Sequence, residues 1–358
     1  MLNPREAVRN LPLYHPPLAG RDGLRLDFNE NTVGCSPRVL ECLRQLSREA
    51  LARYPENKLA EAITASHLGI DPEELLLTNG TDEAIHLLCE AFLEPQHEVL
   101  IAVPTFSMYE IYAAATGAKV IKIPAGKDFA FPFEELLARI TDRTRLIAVA
   151  NPNNPTGTQA RCEDLLEIAR RAPQAALLID EAYYEFSGDT LLPRWRGVPN
   201  LFIARTLSKA YGLAGLRLGM LAGHAPHIEA IRKVSSPYSV NAVALACLPA
   251  ALADQDYVRN YVEQVCRGRD QLQQALSELR IPFWPSRANF VLTRLGTLSA
   301  PFISGMRKRG ILVRDRSSDF GCEGCVRITL GTLAQTEPLL VALRQTVEEI
   351  RVEEANLA

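Results

Sequence analysis

Residues 146–186 read LIAVANPNNPTGTQARCEDLLEIARRAPQAALLIDEAYYEF. Two almost wholly apolar runs, Leu146–Ala150 and Ala176–Ile179, flank a segment with helical patterning, Arg161–Arg171. An apolar run without polar alternation is a strand buried on both faces. Strand, crossover helix and strand make a βαβ unit, and its two strands are parallel. The same alternation extends outward on both sides. Leu75–Thr78, Glu98–Val103, Lys119–Ile123, Leu201–Ala204 and Leu218–Ala222 are further strand candidates, which makes seven. Asp82–Phe92, Phe106–Thr116 and His227–Val234 read as helices between them. The expectation is an α/β fold, a mostly parallel sheet with helices on both faces.

The pattern changes after about residue 240. Two long helical stretches, roughly Asn241–Leu279, precede short strands near Phe290–Thr293, Ile311–Arg314 and Cys325–Thr329, the pattern of a smaller α+β domain. The first 30 residues are rich in Pro and Gly and read as an extended arm that must lie on something. The length of 358 residues suits two domains at about 150 residues each. Hydrophobic residues make up 47% and charged residues 23%, the balance of a soluble globular protein.

Lys plus Arg number 39 against 42 Asp plus Glu, so no basic excess exists to track nucleic acid. No apolar run approaches the roughly 18 residues of a membrane span. The opening MLNPREAVRN lacks a secretory apolar core, and a cytoplasmic protein is expected. The eight cysteines (Cys35, Cys42, Cys89, Cys162, Cys247, Cys266, Cys322, Cys325) then read as buried free thiols. Cys322 and Cys325 form a CxxC, but no second CxxC or His pair completes a four-ligand zinc site, so no metal is expected. His224 and His227 flank Ala-Pro and read as loop residues.

Ligands of open α/β sheets sit beyond the carboxyl ends of the strands. Five strand ends carry polar clusters: TNGTDE, PTF, NPNNPTG, DEAYYEF and TLSKAYGLAGLRLG. In the rigid Pro-Gly turn NPNNPTG, Asn154 is a directed amide. Asp180 ends the apolar strand LLID, where a carboxylate is costly without a cation or strong donors. Tyr183 follows as a phenol donor. Lys209 lies among Ser, Thr, Gly and apolar residues, where desolvation favours the neutral amine, which forms a Schiff base with an aldehyde. Arg217, Thr206 and Ser208 suit a phosphate, as do the helix-opening amides of Gly80, Thr81 and Asp82. Taken singly, each has a plain alternative: a Pro-rich turn, a helix cap, a solvated lysine. Pyridoxal 5'-phosphate (PLP) needs all of them at once.

The ordered set NPNNPTG, DEAYYEF, TLSKAYGLAGLRLG and VRITLGT resembles the fold type I, aspartate-aminotransferase-like PLP enzymes. So do FNENTVGCSP (28–37), RYPE (53–56), TNGTDEAI (78–85), SPYSVNAVA (236–244) and ANFVL (288–292). Within these, the chain is most similar to the histidinol-phosphate aminotransferase family. The resemblance implies an arm with part of a small domain (1–40), a large PLP-binding domain (41–240) and a small domain (241–358). It implies that Lys209 carries the cofactor, Asp180 faces the pyridine nitrogen, and Asn154 and Tyr183 bind the phenolic oxygen. Phe106 stacks on the ring, with Tyr109 the alternative. Gly80, Thr81, Asp82, Thr206, Ser208 and Arg217 cradle the phosphate, and Tyr54 reaches it from the other subunit of a homodimer. Arg327 clamps the substrate α-carboxylate. Arg314 binds the distal group, with Tyr14 and Asn289 lining that pocket.

The implied reaction converts histidinol phosphate and 2-oxoglutarate to imidazole-acetol phosphate and glutamate. An aromatic amino acid aminotransferase and a phospho-amino-acid decarboxylase are the alternatives. The sequence departs from the family at Thr32, where the family has Pro after NEN, in the arm LPLYHPPLAG, and in the loop Ser317–Gly324 with its cysteines. A nicotinamide dehydrogenase does not fit, because Gly212, Gly215 and Gly219 are spaced GxxGxxxG. A PLP-sensing transcription regulator would need a basic helix-turn-helix, and the arm is too short for one.

Overall fold

A computed structural model describes residues 2–13, 20 and 22–357. Strand β1 (Leu24–Arg25) precedes the seven strands of the main sheet: β2 (Leu75–Asn79), β3 (Glu98–Val103), β4 (Lys119–Pro124), β5 (Thr144–Ala150), β6 (Ala176–Asp180), β7 (Leu201–Thr206) and β8 (Leu218–Gly223). Their spatial order is β2-β8-β7-β6-β5-β3-β4. Neighbours from β4 across to β7 pair in parallel, whereas β8 runs antiparallel to both β2 and β7. The reversal follows from the connection. Residues 207–217 hold only a short 3-10 turn, Ala214–Leu216, too little for the dozen or more residues of a parallel crossover.

The central strands alternate between two cores. Ile147, Val149, Leu177, Ile179 and Ile203 face one cluster; Leu146, Ala148, Leu178, Phe202 and Ala204 face the other. Both sets are apolar, which is why the sequence runs show no polar alternation. Helices Gly80–Phe92, Met108–Thr116 and Ala225–Arg232 cover the second face, and Cys162–Arg171 packs on the first. His227 therefore lies in a helix rather than a loop: Pro226 sits in the first turn, where its missing N–H costs nothing.

The C-terminal part holds an antiparallel sheet ordered β12-β13-β10-β9. Its strands are β9 (Phe283–Trp284), β10 (Phe290–Arg294), β12 (Arg314–Asp315) and β13 (Cys325–Thr329), with β11 (Ile311–Leu312) apart. The two expected helical stretches are Ala242–Ala253 and Gln255–Glu278, meeting at Asp254, and a further helix, Leu333–Leu357, packs against the latter. The arm is less extended than its composition suggests. It forms a helical turn, Glu6–Arg9, with Arg5 Nη2 donating to the Ala115 carbonyl at 2.9 Å. Further on, β1 pairs in parallel with β11, so the arm lies on its own chain at both ends.

All eight cysteines are free. Cys89, Cys247, Cys322 and Cys325 are buried, and the other four are only partly so. Among the described residues no helix is long and apolar enough to cross a membrane.

Candidate active site

The carboxyl ends of β2, β3, β5, β6 and β7 open into one cavity of about 700 Å³, closed on its far side by β12 and β13. Thr81, Asp82, Phe106, Asn154, Asp180, Tyr183, Thr206, Ser208, Lys209, Arg217, Arg314 and Arg327 all line it. The sequence clusters thus converge in space. A larger cavity of about 940 Å³ lies between the segment after β6 and helix Gln255–Glu278. Its buried charge is already matched: Arg205 Nε and Nη2 donate to Glu181 Oε2 at 3.0 and 2.9 Å.

The phosphate-type end is built where β2 meets β8. Gly80 opens its helix at φ +77°, and a Cβ there would stand 2.5 Å from Arg217 Nη2. A Cβ on Gly219 would lie 2.4 Å from the Gly80 carbonyl carbon. Glycine at both positions lets helix start, strand and guanidinium close on one point. Thr206 Oγ1 donates to Ser208 Oγ at 2.9 Å, and Arg217 Nη2 donates to Asp82 Oδ2 at 2.7 Å. Hydroxyls, a guanidinium and a helix N-terminus make this an anion cradle.

At the other end, Asp180 is 6% exposed. It accepts from the Tyr109 hydroxyl at 2.7 Å and from the Ala182 N–H at 3.0 Å. Desolvation dominates these bonds and raises its carboxyl to about 6. Lys209 is half-buried, and its Nζ donates to the Phe28 carbonyl at 3.3 Å. Desolvation, helped by the charge of Arg327, lowers its ammonium to about 8. A buried acid pushed up and a buried amine pushed down in one cleft each want a partner there. A pyridinium nitrogen and an aldehyde are such partners, so the donor set fits PLP.

The polar atoms between them are oriented. Arg327 Nη1 donates to Asn154 Oδ1 at 2.5 Å, which turns the Asn154 amide N–H₂ the other way. Tyr183 Oη accepts from Asn29 Nδ2 at 2.8 Å, leaving its own proton to donate. Arg327 is buried, and its Nη2 donates to the Asp27 carbonyl at 2.8 Å. Among the described residues, its buried Nε has no hydrogen-bond partner, nor has Arg314 Nη1. Arg314 and Arg327 sit opposite each other in the β12–β13 register, and Arg314 lies 5.0 Å over the Phe28 ring.

Asn289 departs from its expected place, and Tyr109 and Tyr54 have partners of their own. Tyr109 borders the cavity; it is wholly buried, its ring perpendicular to that of Phe106 with centroids 5.8 Å apart, and its hydroxyl goes to Asp180. Asn289 is fully buried behind the cavity, where its Nδ2 donates to the Asn29 carbonyl at 3.1 Å. Its position on β10's approach points it at backbone, so it braces Asn29 and does not line the pocket. Tyr54 lies outside its own chain's cavity, 78% exposed and stacked on Tyr238 with ring centroids 4.3 Å apart. Tyr14 lies outside the described residues. The sequence analysis assigned no role to Asn29, Arg316 or Asp319; Asn29 lies in the quoted FNENTVGCSP, Asp319 lies in the loop Ser317–Gly324, and no motif marked Arg316.

Residues 21–343 match the family model for aminotransferase class I and II, and the chain belongs to that family of PLP-dependent enzymes. Within it, the chain is 36% identical to the histidinol-phosphate aminotransferase of Geobacillus sp. (strain WCH70), over 96% of this chain and 97% of that one. Among solved structures, histidinol-phosphate aminotransferase from Sinorhizobium meliloti in complex with pyridoxal-5'-phosphate superposes with a TM-score of 0.88 at 26% identity, covering 97% of this chain and 98% of that one. L-threonine-O-3-phosphate decarboxylase from Porphyromonas gingivalis shares the fold, with a TM-score of 0.80 at 24% identity over 91% of this chain and 99% of that one.

Proposed function

We propose that this chain transfers the amino group of histidinol phosphate to 2-oxoglutarate, giving imidazole-acetol phosphate and glutamate, as a cytoplasmic homodimer. The observation that carries the substrate reading is the Arg314–Arg327 pair. Two guanidiniums face one cavity from neighbouring strands, each with a buried N–H that has no partner among the described residues. Such donors are expensive to leave unmade, and a phosphate monoester, with three oxygens and close to two charges, can accept from both, as can the two carboxylates of glutamate. The similarity to histidinol-phosphate aminotransferases supports the same choice.

PLP, when bound, supplies an electron-accepting ring that stabilises negative charge on the donor's α-carbon. The chain's residues do the rest. Asp180 keeps the ring nitrogen protonated, and Tyr109 and the Ala182 N–H hold its carboxylate in place. Asn154 and Tyr183 donate to the phenolic oxygen from the orientations that Arg327 and Asn29 set. Gly80, Thr81, Asp82, Thr206, Ser208 and Arg217 hold the phosphate, and Phe106 covers the ring. Lys209 Nζ would hold the cofactor until the donor displaces it, and the freed amine would carry the proton from the donor α-carbon to the cofactor carbon; with its ammonium lowered to about 8, a useful fraction is neutral near physiological pH. Arg327 takes the α-carboxylate of glutamate along its Nε edge. Arg314 takes the phosphate of histidinol phosphate, which has no carboxylate, or the distal carboxylate of glutamate. The large, cofactor-holding part is residues 41–240; the β1–β11 pairing supports grouping residues 1–40 with 241–358.

Three donors test the substrate reading: histidinol phosphate, phenylalanine and phosphothreonine. Histidinol phosphate should be turned over fastest. Faster phenylalanine, or CO₂ release without a keto product, overturns the proposal. Arg314→Ala should retain PLP and lose both histidinol phosphate and glutamate, with KM for each rising about 100-fold, the loss of a buried charge-assisted contact. Normal transamination of histidinol phosphate by that variant refutes the dual role.

Tyr54, Tyr238, Leu51, Leu59 and Val234 are all exposed apolar side chains. Asn57 Nδ2 donates to the Pro237 carbonyl at 3.5 Å, so the segments carrying them adjoin. An apolar patch of this kind suits a second copy of the chain. Tyr54→Asp should shift sedimentation toward monomer and weaken PLP retention; an unchanged dimer with full PLP removes Tyr54 from the shared site.

A further inference from the structure

Cys322 and Cys325 take no part in the reading above, yet their loop carries Arg316 and Asp319, which face the active-site cavity. Cys322-Glu323-Gly324-Cys325 is a tight turn, closed by the Cys325 N–H donating to the Cys322 carbonyl at 2.8 Å. Gly324 turns at φ +68°, and a Cβ there would stand 2.4 Å from Gly296 Cα, so the turn has no room for a side chain at that point. A turn bonded this way keeps its first and fourth Cα atoms within about 7 Å, and a disulfide spans roughly 4.4–6.8 Å. Both thiols lie in one small apolar cluster with Phe129 and Leu292, and Trp284 packs against it.

The two thiols are unlike. The Cys322 thiol, and after it the guanidinium of Arg294, hold the Cys325 thiol down to about 7 against burial. The bond to Cys325, with burial, pushes the Cys322 thiol up. Arg294 is anchored beside them: its Nη2 donates to the Gly321 carbonyl at 2.9 Å, and its guanidinium lies 5.2 Å from the Trp284 ring centroid. A thiol that ionises next to one that keeps its proton is a nucleophile with a resolving partner. Cys42 and Cys247 are also neighbours, but there burial and the surrounding thiols push Cys247 up to about 12. No group of three or more His, Cys, Asp and Glu placed to hold a metal occurs among the described residues. Cys322 and Cys325 are themselves fully buried. A cavity of about 220 Å³ reaches their cluster, walled by Phe129, Trp284, Arg294, Phe320 and Gly321, and a molecule little larger than water fits within it.

We propose that Cys322 and Cys325 form a reversible dithiol–disulfide site, oxidised by hydrogen peroxide and reset by a dithiol, and that the bond acts on the active-site cavity through Asp319. The Cys325 thiolate attacks one peroxide oxygen: an S–O bond forms, the O–O bond breaks, and the departing hydroxide takes up a proton to become water. The Cys322 sulfur then attacks the Cys325 sulfur: the S–S bond forms, the S–O bond breaks, and the hydroxyl leaves as water with the Cys322 proton. Two thiols are oxidised and one peroxide is reduced to two waters. Bond formation draws the sulfurs to about 2.05 Å. Cys325 is held in β13 opposite Arg294, so Cys322 makes the move. Its N–H holds the Asp319 carbonyl at 3.0 Å, and Asp319 pairs with Arg316 at the cavity wall. The action on the cavity rests on the substrate reading above; the disulfide does not.

The test treats wild-type holoenzyme, Cys322→Ala and the double variant Cys322→Ala/Cys325→Ala with hydrogen peroxide, then with dithiothreitol. The tryptic peptide 317–327 holds both cysteines and no other. In oxidised wild type that peptide should be lighter by the two thiol hydrogens and resist alkylation, and dithiothreitol should restore both thiols. In Cys322→Ala it should instead gain oxygen at Cys325. Oxidation of wild type should raise KM for glutamate and for histidinol phosphate by about threefold or more, the scale of one displaced hydrogen bond, with the cofactor absorbance unchanged. The double variant should not respond to peroxide. Should it fold poorly, recovery of the wild-type KM by dithiothreitol still decides. A peptide that stays fully alkylatable, or a disulfide from either cysteine to a third, overturns the site. A disulfide that leaves both KM values unchanged or lower overturns its action through Asp319. Reduced wild type that ignores histidinol phosphate overturns the substrate reading instead, and the peptide mass still decides the disulfide.

Discussion

Lys209→Ala should lower kcat for transamination by at least about 10³-fold, the upper range of a lost proton-transfer group, and should leave a folded protein. Borohydride should fix PLP to residue 209 of the wild type and to no residue of the variant, read by peptide mass. Folding should survive because Lys209 contributes little to it: its Nζ makes one long contact, 3.3 Å to the Phe28 carbonyl, and burial works against its charge. The pH dependence has a definite sign. The ammonium is lowered from 10.5 to about 8 in the folded chain, so between those values the unfolded chain binds more protons and stability rises with pH. The wild type bears this penalty fully below about pH 8 and sheds it by pH 10.5. Melting of the two PLP-free proteins should therefore favour the variant at pH 7 and converge toward pH 10. PLP uptake by the wild type should quicken with pH through about 8, as neutral amine accumulates. Wild-type turnover by Lys209→Ala, or borohydride labelling elsewhere, would remove this residue from the chemistry.

What the sequence revealed and what it hid divide along physical lines. β5 and β6 were visible because burial on both faces leaves no polar residue in the run, and Asn154 and Asp180 were visible because each ends such a run. Lys209 stood out as a lone cation without a charge run. These are local signals. The direction of β8 was readable in principle from the short 207–217 connection, but alternation alone suggested another parallel strand. Tyr109 was weighed only as a ring, since its bond to Asp180 exists only once helix Met108–Thr116 packs beside β6. Asn29 and Tyr183 are 154 positions apart, and nothing near either announces the contact. Asn289 was expected to line the pocket only through the family resemblance, and here its amide braces the Asn29 backbone. Arg316 and Asp319 carried no assigned role, since only the fold turns their loop into the cavity.

Asp180→Asn should produce an enzyme that is more stable without its cofactor and nearly inactive with it. The substitution keeps the shape of the site: the amide oxygen still accepts from the Ala182 N–H, and the Tyr109 hydroxyl can accept from the new N–H₂. It removes a charge that the apoprotein cannot solvate. The carboxyl rises from 3.8 to about 6 on folding, chiefly by desolvation, so the folded chain holds the extra proton between those values. Stability from this group therefore falls as pH rises from about 4 to about 6, and above that the ionised form costs on the order of 3 kcal/mol. The variant should recover that amount at pH 7, none of it below pH 4, and its melting temperature should lose the acid-limb slope. With PLP bound the balance inverts. A pyridinium facing the carboxylate turns the penalty into an ion pair, whereas an amide cannot keep the ring nitrogen charged. Negative charge at the donor α-carbon then loses its sink, and kcat should drop by roughly 10³-fold, about 4 kcal/mol of barrier. Bound PLP should thus stabilise the wild type more than the variant in paired melts. Equal stabilisation of both, with activity retained, would mean that Asp180 does not face the ring nitrogen.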